Sequence, residues 1–348
     1  MEGDTLKTFV IAEAGVNHNG SDELALQLVD TAARCGADAV KFQTFTADKL
    51  VRRGAAKAVY QQAATGEGDQ HSMLAALELT EAMHRALFDR CALRGIEFMS
   101  TPFDEDAADF LVALGMRRIK IPSGEITNHP FLRHLARKDV PLILSTGMAT
   151  LAEIEDAVAV IRAEREAARF RRPLAEMLTV LHCTSNYPAA LGDVNLRAMR
   201  TIADVIQVPV GYSDHTLGIV VSTAAVAIGA TVIEKHFTLD KAMHGPDHKA
   251  SLAPHELAAM IEQIRAVEQA LGDPRKQPTL AELPVRELVR RSVTSSRDLA
   301  AGEPLQPGDL CLLRPGTGIP PRDLGSVIGR ALKRPVPVGT TLHWSDFT

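Results

Sequence analysis

Aromatic residues are scarce in this chain. One Trp and three Tyr in 348 residues leave few platforms on which single-stranded nucleic acid could stack. An excess of basic charge is also missing. With 38 Lys and Arg against 43 Asp and Glu, the net charge of −5 gives no attraction to nucleic acid or to an anionic membrane. Cysteine is sparse as well. Cys35, Cys91, Cys183 and Cys311 lie far apart and form no CxxC pair, which excludes a disulfide scaffold and a structural zinc site and fits a reducing cytoplasm. No long apolar run is present: the most apolar stretch, 219–233, is broken by Ser222, Thr223, Gly229 and Thr231. It is too short to span a bilayer and reads as a buried helix running into a buried strand. The opening MEGDTLKTF is acidic and lacks the basic and apolar regions of a secretory leader. With 46% hydrophobic and 23% charged residues, disorder, collagen-like fibre and coiled coil are excluded for the chain as a whole.

What is there is alternation. Eight short β-branched or apolar runs are FVIAEAG (9–15), AVKFQTF (39–45), EFMSTPF (97–103), RRIKIPSG (117–124), PLILSTG (141–147), LTVLHCTS (178–185), VPVGYSDH (208–215) and TVIEKHFT (231–238). Each is followed by a helix-compatible segment. Such alternation predicts βαβ units and a parallel sheet. Eight units and a last helix near 254–271 match a closed (β/α)8 TIM barrel over 1–272. An open doubly wound sheet fits less well, because no GxGxxG follows the first run. Residues 273–285, with three prolines among polar residues, read as an extended linker. Residues 286–348, dense in Gly and Pro, read as a small, turn-rich, mostly β module.

Reactive side chains gather at the ends of the runs: Glu13, Lys41, Gln43, Thr101, Lys120, Ser123, Glu125, Ser145, His215, Glu234 and His236. In a parallel barrel all those ends open onto one face, where active sites of this fold sit. Helix capping explains Ser, Thr and Asp there. It does not explain two lysines, two histidines and three glutamates at one edge. His215 and His236 end runs seven and eight, so a barrel sets them side by side, where two imidazoles suit a divalent ion. Lys41, Lys120, Thr101, Ser123 and Ser145 offer ammonium and hydroxyl donors that suit a phosphate or a phosphorylated carboxylate. No P-loop and no GxSxG elbow is present. Cys183, beside His182, reads as a small buried hydrophobe and not as a nucleophile.

The segments AEAGVNHNG (12–20), ADAVKFQTF (37–45), FMSTPFD (98–104), KIPSGE (120–125), STGM (145–148), HCTSNYP (182–188), GYSDHT (211–216), EKHFT (234–238) and GPDHKAS (245–251) resemble the sialic acid synthases. RPGTGI (314–319) and VPVGTTL near the end resemble that family's antifreeze-like (SAF) domain. The likeness runs the length of the chain, and AEAGVNHNG is closer to the N-acetylneuraminate and legionaminic acid branches than to the pseudaminic acid branch.

The resemblance implies condensation of phosphoenolpyruvate with an open-chain N-acetylmannosamine-type sugar, or its 2,4-diacetamido-trideoxy analogue, to a nine-carbon 2-keto acid and phosphate. It implies a metal on His215 and His236, Mn²⁺ foremost with Mg²⁺ or Co²⁺ as alternatives. Lys41, Thr101, Lys120, Ser123 and Ser145 would bind phosphoenolpyruvate, while Gln43, Glu125, Tyr187 and Asp247 would meet the sugar. Glu13, Glu125, Lys41 and Lys120 would carry the catalysis, with the proton-taking group left open among Glu13, Glu125 and metal-bound hydroxide. Arg314 would reach the sugar from the neighbouring subunit of a domain-swapped homodimer. Two departures stand out: Ser185 follows HCT where some members carry Asn, and the segment from Lys49 to Ser72 matches only loosely. Competing readings are another phosphoenolpyruvate–sugar aldolase, of the 3-deoxy-octulosonate phosphate type, and a catalytically silent sugar-binding protein. The first is disfavoured because metal-dependent members usually place Cys near the first strand, which here ends EAGVNH.

Overall fold

The structure, a computed structural model, describes residues 7–348, so residues 1–6 of the stretch considered for a leader lie outside the described residues. Eight parallel strands form one sheet: β1 Phe9–Gly15, β2 Ala39–Thr44, β3 Glu97–Pro102, β4 Ile119–Ile121, β5 Leu142–Ser145, β6 Leu178–Cys183, β7 Val210–Asp214 and β8 Val232–His236. Hydrogen-bonded ladders run in the order β3-β2-β1-β8-β7-β6-β5-β4, and β3 lies against β4 to close the ring without a ladder. The gap has a local cause. The Ser100 N–H, which could donate across, goes to Met116 Sδ at 3.2 Å. Pro122 after the short β4 has no N–H to give.

Period-two alternation along the strands builds two layers inside the barrel. Ile11, Ala39, Met99, Ile143, Leu181 and Val232 form an apolar plug. Two residues further on, the same faces carry Glu13, Lys41, Thr101, Ser145, Cys183 and Glu234. The intervening residues, such as Val10, Ala12, Val40, Phe42, Phe98, Leu144 and Val180, point outward into the core shared with the helices.

The helices are α1 Asp22–Arg34, then three short ones in the long β2–β3 connection (α2 Ala47–Leu50, α3 Val59–Thr65, α4 Gln70–Ala75), then α5 Glu81–Arg94 and α6 Glu105–Leu114. They continue with α7 His129–Ala136, α8 Leu151–Ala167, the single turn α9 Leu174–Met177, α10 Ala198–Ile206, α11 Val220–Ala227 and α12 Pro254–Leu271. Caps set their starts: Ser21, Thr80, Asp104 and Thr150 each accept a backbone N–H of the first turn. Among the described residues no helix is long and apolar enough to cross a membrane.

A second compact unit begins at Asp273. It holds α13 Glu282–Val289 and an antiparallel pair, β9 Ser292–Ser295 with β10 Leu310–Leu313, around Val293, Leu299, Leu305, Ile319, Val327, Leu332, Val336, Leu342 and Phe347. The helix corrects the expectation of an extended linker through 285. Thr279 and Glu282 cap one another, Glu282 N donating to Thr279 Oγ1 at 3.3 Å and Thr279 N to Glu282 Oε2 at 2.8 Å. These reciprocal bonds close the turn that leads into the helix, and Pro284 sits in its first turn, where an N–H has no intrahelical partner to lose.

Candidate active site

The strand ends open into a cleft of about 450 Å³, a usual size for a small-molecule site. Its floor is a quartet of buried charges. Lys41 Nζ lies 2.6 Å from Glu13 Oε2 and 3.6 Å from Glu234 Oε2, and Lys120 Nζ lies 3.6 Å from Glu234 Oε1. Lys41 also donates to Thr101 Oγ1 at 2.7 Å, and Ser213 Oγ to Glu234 Oε1 at 2.9 Å. The two carboxyls are driven apart. Burial pushes Glu13 up to about 7 against the pull of Lys41. Burial acts on Glu234 too, but Lys120 and Lys41 outweigh it and hold Glu234 down at about 2. Two carboxyls separated in this way mark one as a proton carrier at neutral pH and the other as a fixed anion. Burial works against the charge of both lysines. The two glutamates overcome it at Lys41, which is raised, but not at Lys120, which is lowered.

Hydroxyls ring one side of the floor. Ser145 Oγ is buried on the cleft wall with no hydrogen-bond partner among the described residues. Ser123 Oγ accepts from Gly147 N at 3.0 Å and lies 3.3 Å from Cys183 Sγ. Gly147 permits this convergence: a Cβ there would fall 2.1 Å from Ser185 Oγ and 2.9 Å from Cys183 Sγ. Met148, next in the chain, is held at φ 67° and is 76% exposed at the rim, a strained backbone position of the kind that gathers at functional sites. Cys183 is buried but lines the cleft, while His182 is turned to Val194 O at 2.7 Å, so the two are not paired.

His215 and His236 stand side by side, with ring centroids 5.8 Å apart. Burial lowers both, so both present neutral nitrogens, the form that binds a metal. His215 Nδ1 donates to Thr184 O at 2.7 Å, which leaves Nε2 as the lone-pair nitrogen. His236 Nδ1 is buried without a hydrogen-bond partner, 4.0 Å from Asp247 Oδ2. Gly15 keeps the space between open: at φ +53°, a Cβ there would meet Glu13 Oε1 and His236 Cε1 at 3.3 Å and Gln43 Nε2 at 3.5 Å. Among the described residues no cluster of three or more His, Cys, Asp or Glu is arranged to hold an ion. The donor set therefore fits a divalent metal only as an open site, two imidazoles with oxygens from substrate or water filling the rest. Behind this wall the fully buried pair Lys235 and Asp214, 2.9 Å apart, braces the turn that carries His215, with Asp214 accepting from Thr216 N at 2.8 Å and Ser222 Oγ at 2.7 Å.

Of the residues singled out from the sequence, Glu13, Lys41, Gln43, Thr101, Lys120, Ser123, Ser145, Tyr187, His215 and His236 line this cleft. Asp247 sits beside His236 and is raised to about 6 by burial. Glu125 does not line the cleft; Asn128 Nδ2 donates to its Oε2 at 2.7 Å on the turn after β4, so the assignment of Glu125 to catalysis and to the sugar draws no support from its position. Arg314 belongs to the tail unit and is exposed there. Glu234, singled out at the end of run eight but given no role there, also lines the cleft, since its place two residues before His236 on β8 puts both on one face. Sequence reasoning missed Tyr60, whose ring lies 5.2 Å from that of Tyr187. A larger groove of about 680 Å³ in the tail unit, edged by Arg286, Arg290, Arg291 and Arg322, holds no comparable acid–base set.

Family models match the chain twice: the NeuB family over residues 28–276 and the SAF domain over residues 290–348. N,N'-diacetyllegionaminic acid synthase of Legionella pneumophila is 52% identical over 343 residues, covering 98% of this chain and 95% of the relative. The synthase of the same name from Campylobacter jejuni is 48% identical, covering 90% and 92%. A crystal structure of N-acetylneuraminic acid synthetase from Leptospira borgpetersenii, in complex with citrate, superposes with a TM-score of 0.71 at 32% identity, covering 82% of this chain and 94% of that one.

Proposed function

The chain belongs to the NeuB family, and from that premise we propose that it condenses phosphoenolpyruvate with 2,4-diacetamido-2,4,6-trideoxymannose, yielding N,N'-diacetyllegionaminic acid and phosphate. The observation that carries this reading is the floor of the cleft. Two buried lysines and a set of hydroxyls line the same cleft as two neutral imidazoles, so an anion and a carbonyl oxygen can be held in one cavity.

Lys41, Thr101 and Ser145, with Lys120 opposite, supply donors to the phosphate and carboxylate of phosphoenolpyruvate. Glu234, ionised throughout the neutral range, favours the charged form of both lysines against their burial. A divalent ion between His215 and His236, Mn²⁺ by family expectation, would act as a Lewis acid toward the sugar aldehyde. C3 of phosphoenolpyruvate forms the new bond to the aldehyde carbon, the aldehyde oxygen takes a proton from solvent, and C2 is left electron-poor. Water adds at C2 and gives one proton to Glu13 Oε; the bond from C2 to the bridging phosphate oxygen then breaks, the C2 hydroxyl becomes the ketone, and its proton leaves with the phosphate. The value of Glu13 near 7 suits it to take and return that proton. Gln43, Tyr187 and Asp247 stand on the sugar side of the imidazoles, Tyr187 with its ring 4.1 Å from that of His215.

Two further features extend the proposal. Met148 and Leu217, on the loops after β5 and β7, and Val220, at the start of α11, are 59–76% exposed and leave apolar surface on the side of the barrel where the cleft opens. That surface supports a homodimer in which Arg314 of the partner's tail completes the site. The four free thiols support a reducing, cytoplasmic setting. Phosphate release from phosphoenolpyruvate, followed with each sugar in turn and with and without a chelator, tests the whole reading. Release that needs both the sugar and the metal supports it; no release with any 2-acetamido sugar overturns it.

A further inference from the structure

The connection between β2 and β3 brings residues to the cleft that the strand ends do not explain. Its α3 buries no residue, so the core does not hold it. Its own polar contacts do. Lys57 Nζ donates to Thr65 Oγ1 at 2.9 Å, Gly66 O at 3.1 Å and Glu67 O at 3.2 Å, which closes the C-terminal end of α3. Gln70 N donates to Ala55 O at 2.9 Å, tying α4 back to the same loop.

This loop places Ala58, Tyr60, Gln61 and Gln70 on the cleft wall. Tyr60 continues an aromatic column that begins at His215: Tyr187 lies 4.1 Å from that imidazole, and Tyr60 5.2 Å from Tyr187, inclined by 30°. The column runs from the imidazoles to the wall formed by this loop, which under the proposed function faces the end of the sugar remote from its aldehyde. There the amide orientations are set. Ala58 N can only donate, so Gln61 turns its Oε1 to it at 3.0 Å, and Gln70 Nε2 donates to the same oxygen at 3.5 Å. Gln61 Nε2 is then turned toward the Tyr60 hydroxyl, and Gln70 Oε1 is not engaged by the backbone of the loop. A donor shared with Tyr60 and an acceptor on Gln70, both on the cleft wall, are the complement of a secondary amide. The cations do not compete: Lys41 and Lys120 are on the floor, and Lys57 is engaged with its carbonyls. A phosphate or carboxylate at this end would find no charged partner among the residues lining the cleft.

We infer that Gln61 and Gln70, backed by Tyr60, determine acceptor specificity by reading a neutral acetamido substituent at the end of the sugar remote from its aldehyde. The inference rests on the function proposed above and assigns the part of the site that distinguishes a diacetamido sugar from one with a single acetamido group.

The test compares 2,4-diacetamido-2,4,6-trideoxymannose with N-acetylmannosamine, which share the aldehyde and the 2-acetamido group. The ratio of their kcat/KM values is measured by phosphate release for the wild type, Gln61→Glu and Gln70→Leu. Gln61→Glu keeps an oxygen for Ala58 N, and with it the start of α3, but loses the donor. Each variant should lower the preference for the diacetamido sugar about tenfold, the worth of one hydrogen bond. A general loosening of the loop would weaken both sugars together, so a ratio that stays at the wild-type value overturns the inference while leaving the proposed reaction standing. A wild type that releases no phosphate with either sugar overturns the proposed reaction, and this inference with it.

Discussion

Replacing Lys41 by Met separates binding from folding in this site. Lys41 is 3% exposed, and its Nζ meets Glu13 at 2.6 Å, Thr101 at 2.7 Å and Glu234 at 3.6 Å. Removing one partner of a buried ion pair ordinarily costs about 3–5 kcal/mol, because a bare charge is left behind. Here the cost is much smaller. With its value near 7, Glu13 is close to half-protonated at neutral pH, so completing its neutralisation costs less than about 1 kcal/mol. Glu234 keeps Lys120 at 3.6 Å. For a domain of this size 1 kcal/mol corresponds to a Tm shift of about 2–4 °C, which sets the ceiling for Lys41→Met. Binding behaves otherwise, because the ammonium is one of only two on the floor. Losing a charge-assisted hydrogen bond costs about 1.5–3 kcal/mol, roughly a ten- to hundredfold rise in the phosphoenolpyruvate KM. The sugar KM should move far less. Steady-state phosphate release with each substrate varied, beside a thermal melt, reads all three quantities. A phosphoenolpyruvate KM within twofold of wild type refutes the anion site. A Tm loss several times the ceiling refutes the reasoning about Glu13.

His215→Ala and His236→Ala should each remove metal-stimulated turnover and weaken Mn²⁺ binding in calorimetry while the fold stays intact; unchanged Mn²⁺ affinity in both would sink the two-imidazole site. The raised Glu13 makes kcat/KM climb through about pH 7 as its carboxylate forms, and Glu13→Gln should abolish that inflection; one that persists belongs to another group. The same shifts bear on stability with opposite signs. The contribution of Glu13 is present below its ordinary value of 4.5 and is lost as pH rises through about 7, whereas that of Glu234 is present above 4.5 and lost as pH falls through about 2. Arg314→Ala and His215→Ala proteins should each be nearly inactive alone, yet regain activity when mixed, since one site of a mixed dimer keeps both wild-type residues; no recovery after demonstrated subunit exchange rules out an arginine supplied by the partner.

The barrel and the gathering of its polar side chains at one mouth were legible in the sequence because both follow from short-range rules. Alternation with period two sends Ile11 and Glu13, Ala39 and Lys41, and Val232 and Glu234 to the same interior face, whatever the rest of the chain does. Parallel strands then bring every polar end to one mouth, which is why Glu13, Lys41, Thr101, Ser145, His215 and His236 meet there. The helix Glu282–Val289 was equally open to local reading, through the T-x-x-E of Thr279 and Glu282, but three nearby prolines masked it. Other features depend on closure of the ring. Lys120 on β4 meets Glu234 on β8 only across the barrel, and no local pattern encodes a contact between strands that share no ladder. The difference between Glu13 and Glu234 is likewise a matter of placement: two glutamates of identical intrinsic acidity are separated by the depth of burial and the distances to two ammonium groups. Tyr60 and Gln61 lie in a segment without core positions, and its place on the cleft wall is decided by the tertiary contacts of Lys57, Gln70 and Tyr187.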